Sequence, residues 1–141
     1  MIKELALGIA IAWVFGKLVK AIIDWTDDKK ISYKTLFSDG GMPSLHTIAV
    51  ASLATGIYLE EQGISALFIL SVVLALIVIN DALKVRWVTG EQSKAINQLM
   101  KENKEFQQHK PFEERVGHKP IEVLVGLIIG VAVPVLVYAL I

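Results

Sequence analysis

Apolar residues gather into four blocks along the chain, and polar stretches separate them. The blocks cover residues 5–25, 44–59, 64–83 and 121–141, and a helix needs roughly 17–25 residues to cross a bilayer. The pattern therefore predicts an all-α fold: an integral membrane bundle of four transmembrane helices, with residues 1–141 as a single membrane domain.

The first two blocks are the less regular ones. The second is short, and the first contains Lys17, Lys20 and Asp24; a buried soluble helix is the alternative for both. Residues 5–15 also resemble the apolar part of a signal peptide, but residues 16–20 make a poor cleavage site. We expect the first helix to be retained.

Basic residues predict the orientation of the bundle. The connections 26–42 and 84–119 carry eleven of them: Lys29, Lys30, Lys34, Lys84, Arg86, Lys94, Lys101, Lys104, Lys110, Arg115 and Lys119. The opposite side has only Lys3. By the positive-inside rule, both connections face the cytoplasm. Within the second of them, residues 91–106 have the composition of an amphipathic helix that lies on the protein or on lipid headgroups.

Composition agrees with a membrane protein. Hydrophobic residues make up 54% of the chain, and the mean hydropathy is +0.56, too apolar for an ordinary soluble domain. There is no cysteine, which excludes disulfides, thiolate metal sites and a cysteine nucleophile. Fourteen basic residues balance fourteen acidic ones, so nucleic acid is not an expected partner.

Ionisable residues in and beside the spans fall at one depth, near the predicted cytoplasmic ends. They are Lys17, Lys20 and Asp24 in the first block, His46 in the second, Asp81 and Arg86 around the end of the third, and His118 and Glu122 at the start of the fourth. Such groups are costly in a membrane and usually face the bundle interior with partners. We expect one polar cluster to which all four helices contribute, with Asp81 paired to Arg86 or Lys84 in a supporting role.

Two local patterns suggest what this cluster does. Gly41 permits a close turn and Ser44 places a hydroxyl at a helix start, where unpaired N–H groups attract anions. His118 and Glu122 are four residues apart, so they share a helix face and the carboxylate can orient the imidazole. An interfacial turn and an interfacial anchor are the plainer interpretations of each pattern taken alone.

Together, the polar residues form the parts of a phosphoryl-transfer site: a nucleophile, an acid, and cations for the phosphate oxygens. Candidate cations are Lys20, Lys34, Arg86 and Arg115. A metal site is the weaker competitor, since no compact ligand motif occurs and the nearby cations oppose it. We therefore expect no metal and no cofactor.

Three segments carry a family resemblance: GGMPSLHT at 40–47, NDALKVRWVTGEQSKAIN at 80–97 and GHKPIEVLVG at 117–126. In them the chain resembles the divergent branch of the type 2 phosphatidic acid phosphatases, which are related to acid phosphatases and vanadium haloperoxidases. The resemblance implies that Lys20 binds phosphate, that Ser44 and His46 belong to a motif whose histidine protonates the leaving group, and that His118 is a nucleophile with Glu122 as its acidic partner.

The chain also departs from the family pattern. Leu45 stands where the branch usually has a second serine, and Lys84-Val85-Arg86-Trp87 replaces Gly-Val-Arg-Arg. No arginine lies six residues before His118, so Arg86 or Arg115 would have to substitute for it.

The resulting prediction is a metal-independent lipid phosphatase. His118 attacks phosphorus, Glu122 holds its ring, His46 protonates the leaving oxygen, and Lys20, Arg86 and the helix start at Gly41 and Ser44 bind the phosphate oxygens; Lys34 and Arg115 are further substrate contacts. The alternative is a catalytically silent member that binds, scaffolds or translocates an anionic phospholipid. Expected partners are a lipid phosphate and the membrane, with a homodimer as an option because four short helices leave little protein around a polar cluster. Gly126 and Gly130 suit either internal packing or dimerisation.

Overall fold

The computed structural model describes residues 2–28, 41–103, 105–106, 108–114 and 116–141. In this part of the chain the fold is all helical. Its α-helices are α1 (Ile2–Asp28), α2 (Leu45–Glu60), α3 (Ala66–Asn80), α4 (Arg86–Glu102) and α5 (Pro120–Leu140). A π-helical turn, Asp81–Val85, joins α3 to α4 without a break.

Three stretches of the described chain are long and apolar enough to cross a membrane: Ile2–Thr26, Ala66–Glu102 and Pro120–Leu140. The remaining predicted span, the second block, is the apolar helix α2, with 16 residues. Its length is about 24 Å at 1.5 Å per residue, shorter than a hydrocarbon core of about 30 Å. The structure thus supports an all-helical membrane protein with three candidate spans, and a full crossing by α2 stays a prediction.

Helix α2 is the centre of the bundle and touches α1, α3 and α5. Small residues permit the closest of these contacts: a Cβ on Gly130 of α5 would lie 2.6 Å from Cβ of Ala51. On α1, a Cβ on Gly16 would lie against the side chain of Ile48, a fully buried residue of the core. The glycine pair of α5 therefore serves packing inside one chain, because Gly126 faces α2 in the same way.

The amphipathic helix predicted over 91–106 differs from the helix observed. Helix α4 begins earlier, at Arg86, since α3 continues into it, and it ends at Glu102, before Phe106. Its buried face consists of Gly90, Ser93 and Asn97. On the opposite, exposed face, the apolar side chain of Leu99 is 66% exposed. Contact of this exposed face with lipid headgroups stays a prediction.

Candidate active site

The first turns of α2 and α5 meet at the candidate site. The Ser44 N–H donates to the carbonyl of Glu122 at 3.0 Å. One turn further along α5, Gly126 lies directly under Ser44, where an added Cβ would stand 2.7 Å from the Ser44 carbonyl oxygen. A larger residue would push the two helices apart, so this glycine lets the segments 40–47 and 117–126 come together.

His118 and Glu122 form a buried pair at this junction, but they do not share a helix face: His118 precedes α5, which begins at Pro120, and Glu122 reaches back to it from the first turn. The Nδ1 atom of His118 lies 3.0 Å from Oε2 of Glu122, and the Lys119 N–H donates to the same oxygen at 3.1 Å. Only 3% of His118 is exposed. Because a carboxylate only accepts hydrogen bonds, it selects the tautomer with the proton on Nδ1.

The other ring nitrogen of His118, Nε2, is not engaged by a hydrogen bond within the described structure, although it is buried. With the proton on Nδ1, this atom carries an available lone pair. A buried polar atom of this kind usually has a functional or solvent explanation.

His46 lies in the first turn of α2 and faces the same space. Its ring centroid is 6.2 Å from that of His118, and the ring planes are inclined by 64°. His46 is half-buried, in contrast to the enclosed His118. The two imidazoles are thus close enough to contact one small substrate group from different directions.

The Ser44 side chain caps α2 within the site. Its hydroxyl oxygen accepts from the Thr47 N–H at 3.4 Å and from the Thr47 hydroxyl at 3.0 Å, and both residues are fully buried. Because both bonds bring a proton to the Ser44 oxygen, the Ser44 hydroxyl proton remains available to another acceptor. Thr47, for which the sequence suggested no role, therefore fixes the direction in which Ser44 can donate.

Lys20 approaches the turn before α2 from helix α1. Its side chain is 2% exposed, and a Cβ on Gly41 would lie 3.7 Å from its Cε atom. Gly41 has φ +96°, a left-handed conformation that glycine adopts without steric cost. An ammonium group thus lies beside a turn whose backbone leads directly to Ser44.

Asp81 and Arg86 lie at the junction of α3 and α4. Nε of Arg86 is 3.1 Å from Oδ2 of Asp81, with side chains 30% and 45% exposed respectively. The junction reaches the site through the backbone, because the His118 N–H donates to the carbonyl of Ala82 at 3.2 Å. The two predicted cations Lys34 and Arg115 lie outside the described residues.

Asn97, for which the sequence suggested no role, fixes the segment that leads to His118. Its side-chain amide donates to the carbonyl of Phe112 at 2.9 Å and to Oε1 of Glu114 at 2.7 Å; its oxygen accepts from the Phe112 N–H at 2.8 Å. A Cβ on Gly117 would lie 2.5 Å from Cα of Trp87, so this segment lies tightly against α4. The sequence carries no signal for this clamp, because a polar residue in a helix of mixed composition is expected on the outside.

Metal ligands do not assemble in the described part of the chain. No three histidine, aspartate or glutamate side chains form a group that could hold a metal ion there. His118 and Glu122 contact each other instead, and Asp81 pairs with Arg86.

Comparisons with known proteins give the family context. The model of the Divergent PAP2 family matches residues 3–133. A relative from Bacillus subtilis (strain 168), described as the uncharacterized membrane protein YuiD, is 36% identical over 133 residues, which covers 85% of this chain and 84% of the relative. No solved structure matches the chain.

Proposed function

Because the chain belongs to the divergent PAP2 family of membrane proteins, we propose that it hydrolyses a lipid phosphomonoester or diphosphate through a phosphohistidine intermediate. The observation that carries this proposal is the state of His118: Nδ1 is bound to Glu122, and Nε2 is buried without a partner among the described residues. A nucleophilic imidazole needs this division between an oriented nitrogen and an available one.

In the first step, the Nε2 lone pair of His118 attacks phosphorus and the bond from phosphorus to the lipid oxygen breaks. The Nδ1 proton stays on the ring, where the Glu122 carboxylate stabilises the positive charge that develops. His46, in its protonated form, gives a proton to the departing lipid oxygen. Its position 6.2 Å from the His118 ring, centroid to centroid, supports this acid role.

Charge on the phosphate oxygens requires donors that are already in place. Lys20 beside Gly41, the Ser44 hydroxyl and the N-terminus of α2 supply them in our proposal. Arg86, and the sequence-predicted Lys34 and Arg115, would add further cations once a substrate is bound. No metal takes part in the steps that we assign to these residues.

In the second step, water hydrolyses the phosphohistidine. His46, now neutral, accepts a proton from the water as the water oxygen bonds to phosphorus. The bond from phosphorus to Nε2 breaks, phosphate leaves, and His118 returns to its starting tautomer. We place this site at the cytoplasmic interface because the adjoining connections carry most of the basic residues.

A catalytically silent phospholipid binder is the second candidate, and two observations favour it. The Leu45 side chain packs on the core of Ala12, Ile48 and Ile129. The position where the family usually has a second serine therefore packs in the core and offers no hydroxyl to a phosphate. Arg86 is engaged by Asp81 and would have to leave that partner, or share it, to bind substrate.

The deciding experiment is phosphate release by the detergent-purified protein from a panel of lipid phosphomonoesters and diphosphates, with a chelator present. The variants are His118→Ala and His46→Ala, with His109→Ala as the matched control, since His109 is exposed and lies on another segment. Binding of each variant to vesicles that contain the same lipid is measured in parallel.

We expect wild-type turnover that His118→Ala abolishes and His46→Ala lowers by about 10²–10⁴-fold, with His109→Ala unchanged. Wild-type binding without phosphate release from any lipid would overturn the enzyme and favour the silent binder. Turnover that survives in His118→Ala would overturn the assigned nucleophile.

A further inference from the structure

The π-helical turn between α3 and α4 changes one backbone hydrogen bond in a way that reaches the site. The Arg86 N–H donates to the carbonyl of Asp81, five residues back. In an α-helix its acceptor would be the carbonyl four residues back, that of Ala82. The turn therefore leaves the Ala82 carbonyl without its ordinary helical partner.

The backbone N–H of His118 replaces that missing partner of the Ala82 carbonyl. This N–H donates to the Ala82 carbonyl at 3.2 Å, and Ala82 is 1% exposed. Buried carbonyls and N–H groups are costly when they are left unpaired. The two groups satisfy each other, and the bond fixes the backbone of the residue whose ring points at the candidate reaction centre.

The same turn aligns Asp81 with Arg86. Residues five apart in an α-helix point about 140° away from each other around the axis, whereas the wider turn with its five-residue hydrogen bond brings them closer to the same side. The observed contact of 3.1 Å between Arg86 Nε and Asp81 Oδ2 is such a five-residue pair. Backbone and side chains thus both depend on the extra residue in this turn.

We propose that the π-helical turn is a positioning device for His118, with the Ala82 carbonyl as its contact. This inference rests on the proposed function for its catalytic consequence, since it names what sets the nucleophile in place. Gly117 supports the device because it lets the backbone before His118 lie against Trp87. π-turns inside α-helices occur frequently at functional sites.

The test is removal of one residue from the turn. Deletion of Lys84, which is exposed, restores an α-helix in which the Trp87 N–H competes for the Ala82 carbonyl. Asp81 and Arg86 become four residues apart and can still pair, so the deletion isolates the carbonyl. Lys84→Ala is the matched control, because it removes the side chain but keeps the residue count.

Two readouts are measured on each protein. The first is amide hydrogen exchange at His118 by nuclear magnetic resonance with ¹⁵N-histidine, which gives a simple spectrum because the chain has three histidines. The second is kcat and KM for the lipid found in the phosphate-release panel. Exchange needs no turnover, so it tests the positioning even if the proposed function fails.

In the deletion variant we expect His118 amide exchange about tenfold faster and kcat lower by about 10–100-fold, with KM within about threefold and Lys84→Ala like wild type. Unchanged exchange and unchanged kcat would overturn the proposal. Faster exchange with unchanged kcat would overturn the catalytic consequence alone.

A second variant covers the case in which the deletion does not fold. Incorporation of the α-hydroxy analogue of histidine at position 118 replaces the amide by an ester, which removes the N–H and keeps the side chain. We expect kcat to fall by about tenfold with KM retained. An ester variant with the kcat of wild type would contradict the inference.

Discussion

Two regions hold the candidate site in different ways: the buried junction of α2 with α5, and the exposed arm formed by α3, the π-turn and α4. At the junction, Ser44 and Glu122 share a backbone hydrogen bond, and Gly126 brings the helices together. On the arm, Asp81 and Arg86 pair where solvent or headgroups can reach them. The proposed nucleophile and its carboxylate lie at the junction, whereas the arm supports them from outside, through the Ala82 carbonyl and the hydrogen bonds of Asn97.

The largest difference between the regions should come from their carboxylates. Glu122→Gln lets an amide N–H donate to Nδ1 of His118, which would move the ring proton to Nε2 and remove the nucleophilic lone pair. We expect kcat to fall by about 10³–10⁴-fold, as in other sites where the tautomer is lost. Glu114→Gln is the matched control, because Glu114 lies on the segment that Asn97 of the arm holds; it is measured in the same phosphate-release assay.

Equal effects of the two substitutions would contradict the comparison. Glu114 lies 17 residues from Asn97 in sequence and contacts its side chain at 2.7 Å, so we expect a change of less than about threefold there. A glutamine still accepts that hydrogen bond.

The next largest difference between the regions should be in how much a lost side chain lowers the free energy of unfolding. Ile48→Ala removes a fully buried side chain between α1, α2 and α5, and we expect it to lower the free energy of unfolding in detergent by about 2–5 kcal/mol. Leu99→Ala on the arm removes an exposed side chain and should change it by less than about 0.5 kcal/mol. Denaturant titration of both variants gives the two values.

A larger residue in the contact between α2 and α5 should lower the free energy of unfolding by a smaller amount. Gly126→Ala would bring a Cβ to 2.7 Å from the Ser44 carbonyl oxygen, and we expect a loss of about 1–3 kcal/mol in unfolding free energy. Gly8→Ala is the control, because its Cβ would make an ordinary 3.5 Å contact with Pro134. A Gly126→Ala protein as stable as Gly8→Ala would show that the junction can widen freely.

The smallest effect should come from the ion pair of the arm. Asp81→Asn removes the charge that engages Arg86, and such partly exposed pairs contribute about 0.2–1 kcal/mol. We expect the free energy of unfolding to fall by an amount within that range. If KM falls as well, Arg86 has become available to the lipid phosphate, which would sharpen the role assigned to it; a loss above about 2 kcal/mol would contradict the comparison.

The sequence predicted the junction better than the arm for physical reasons. Hydrophobic blocks locate helices, and the contact between His118 and Glu122 was predicted, although from a shared helix face. In the structure His118 precedes α5, and Glu122 reaches back to it from the first turn of that helix. The π-turn could not be predicted, because α3 is apolar on all sides, so the shift of helical register by one residue does not show in the pattern. The packing face of α4 was also missed, since Gly90, Ser93 and Asn97 are small or polar residues that hydrophobic patterns assign to the outside.

The length of α2 shows a further limit. Its apolar block suggests a span, yet the helix has 16 residues, because Pro43 and Ser44 start it and the turn at residues 61–63 ends it. A central helix can be short when neighbours cover it on several sides. Because the site lies at the start of α2, whether this helix crosses the bilayer also determines how deep the site lies in the membrane.

The most direct test of the central claim is to trap the phosphoryl group on His118. The purified protein is mixed with a lipid labelled in its phosphate, quenched within milliseconds in alkali, where phosphohistidine is stable, and mapped by mass spectrometry. We predict an acid-labile phosphoryl group on His118 that is absent from His118→Ala and accumulates in His46→Ala if hydrolysis is slowed more than attack. Turnover without any phosphoryl group on His118 would contradict the account.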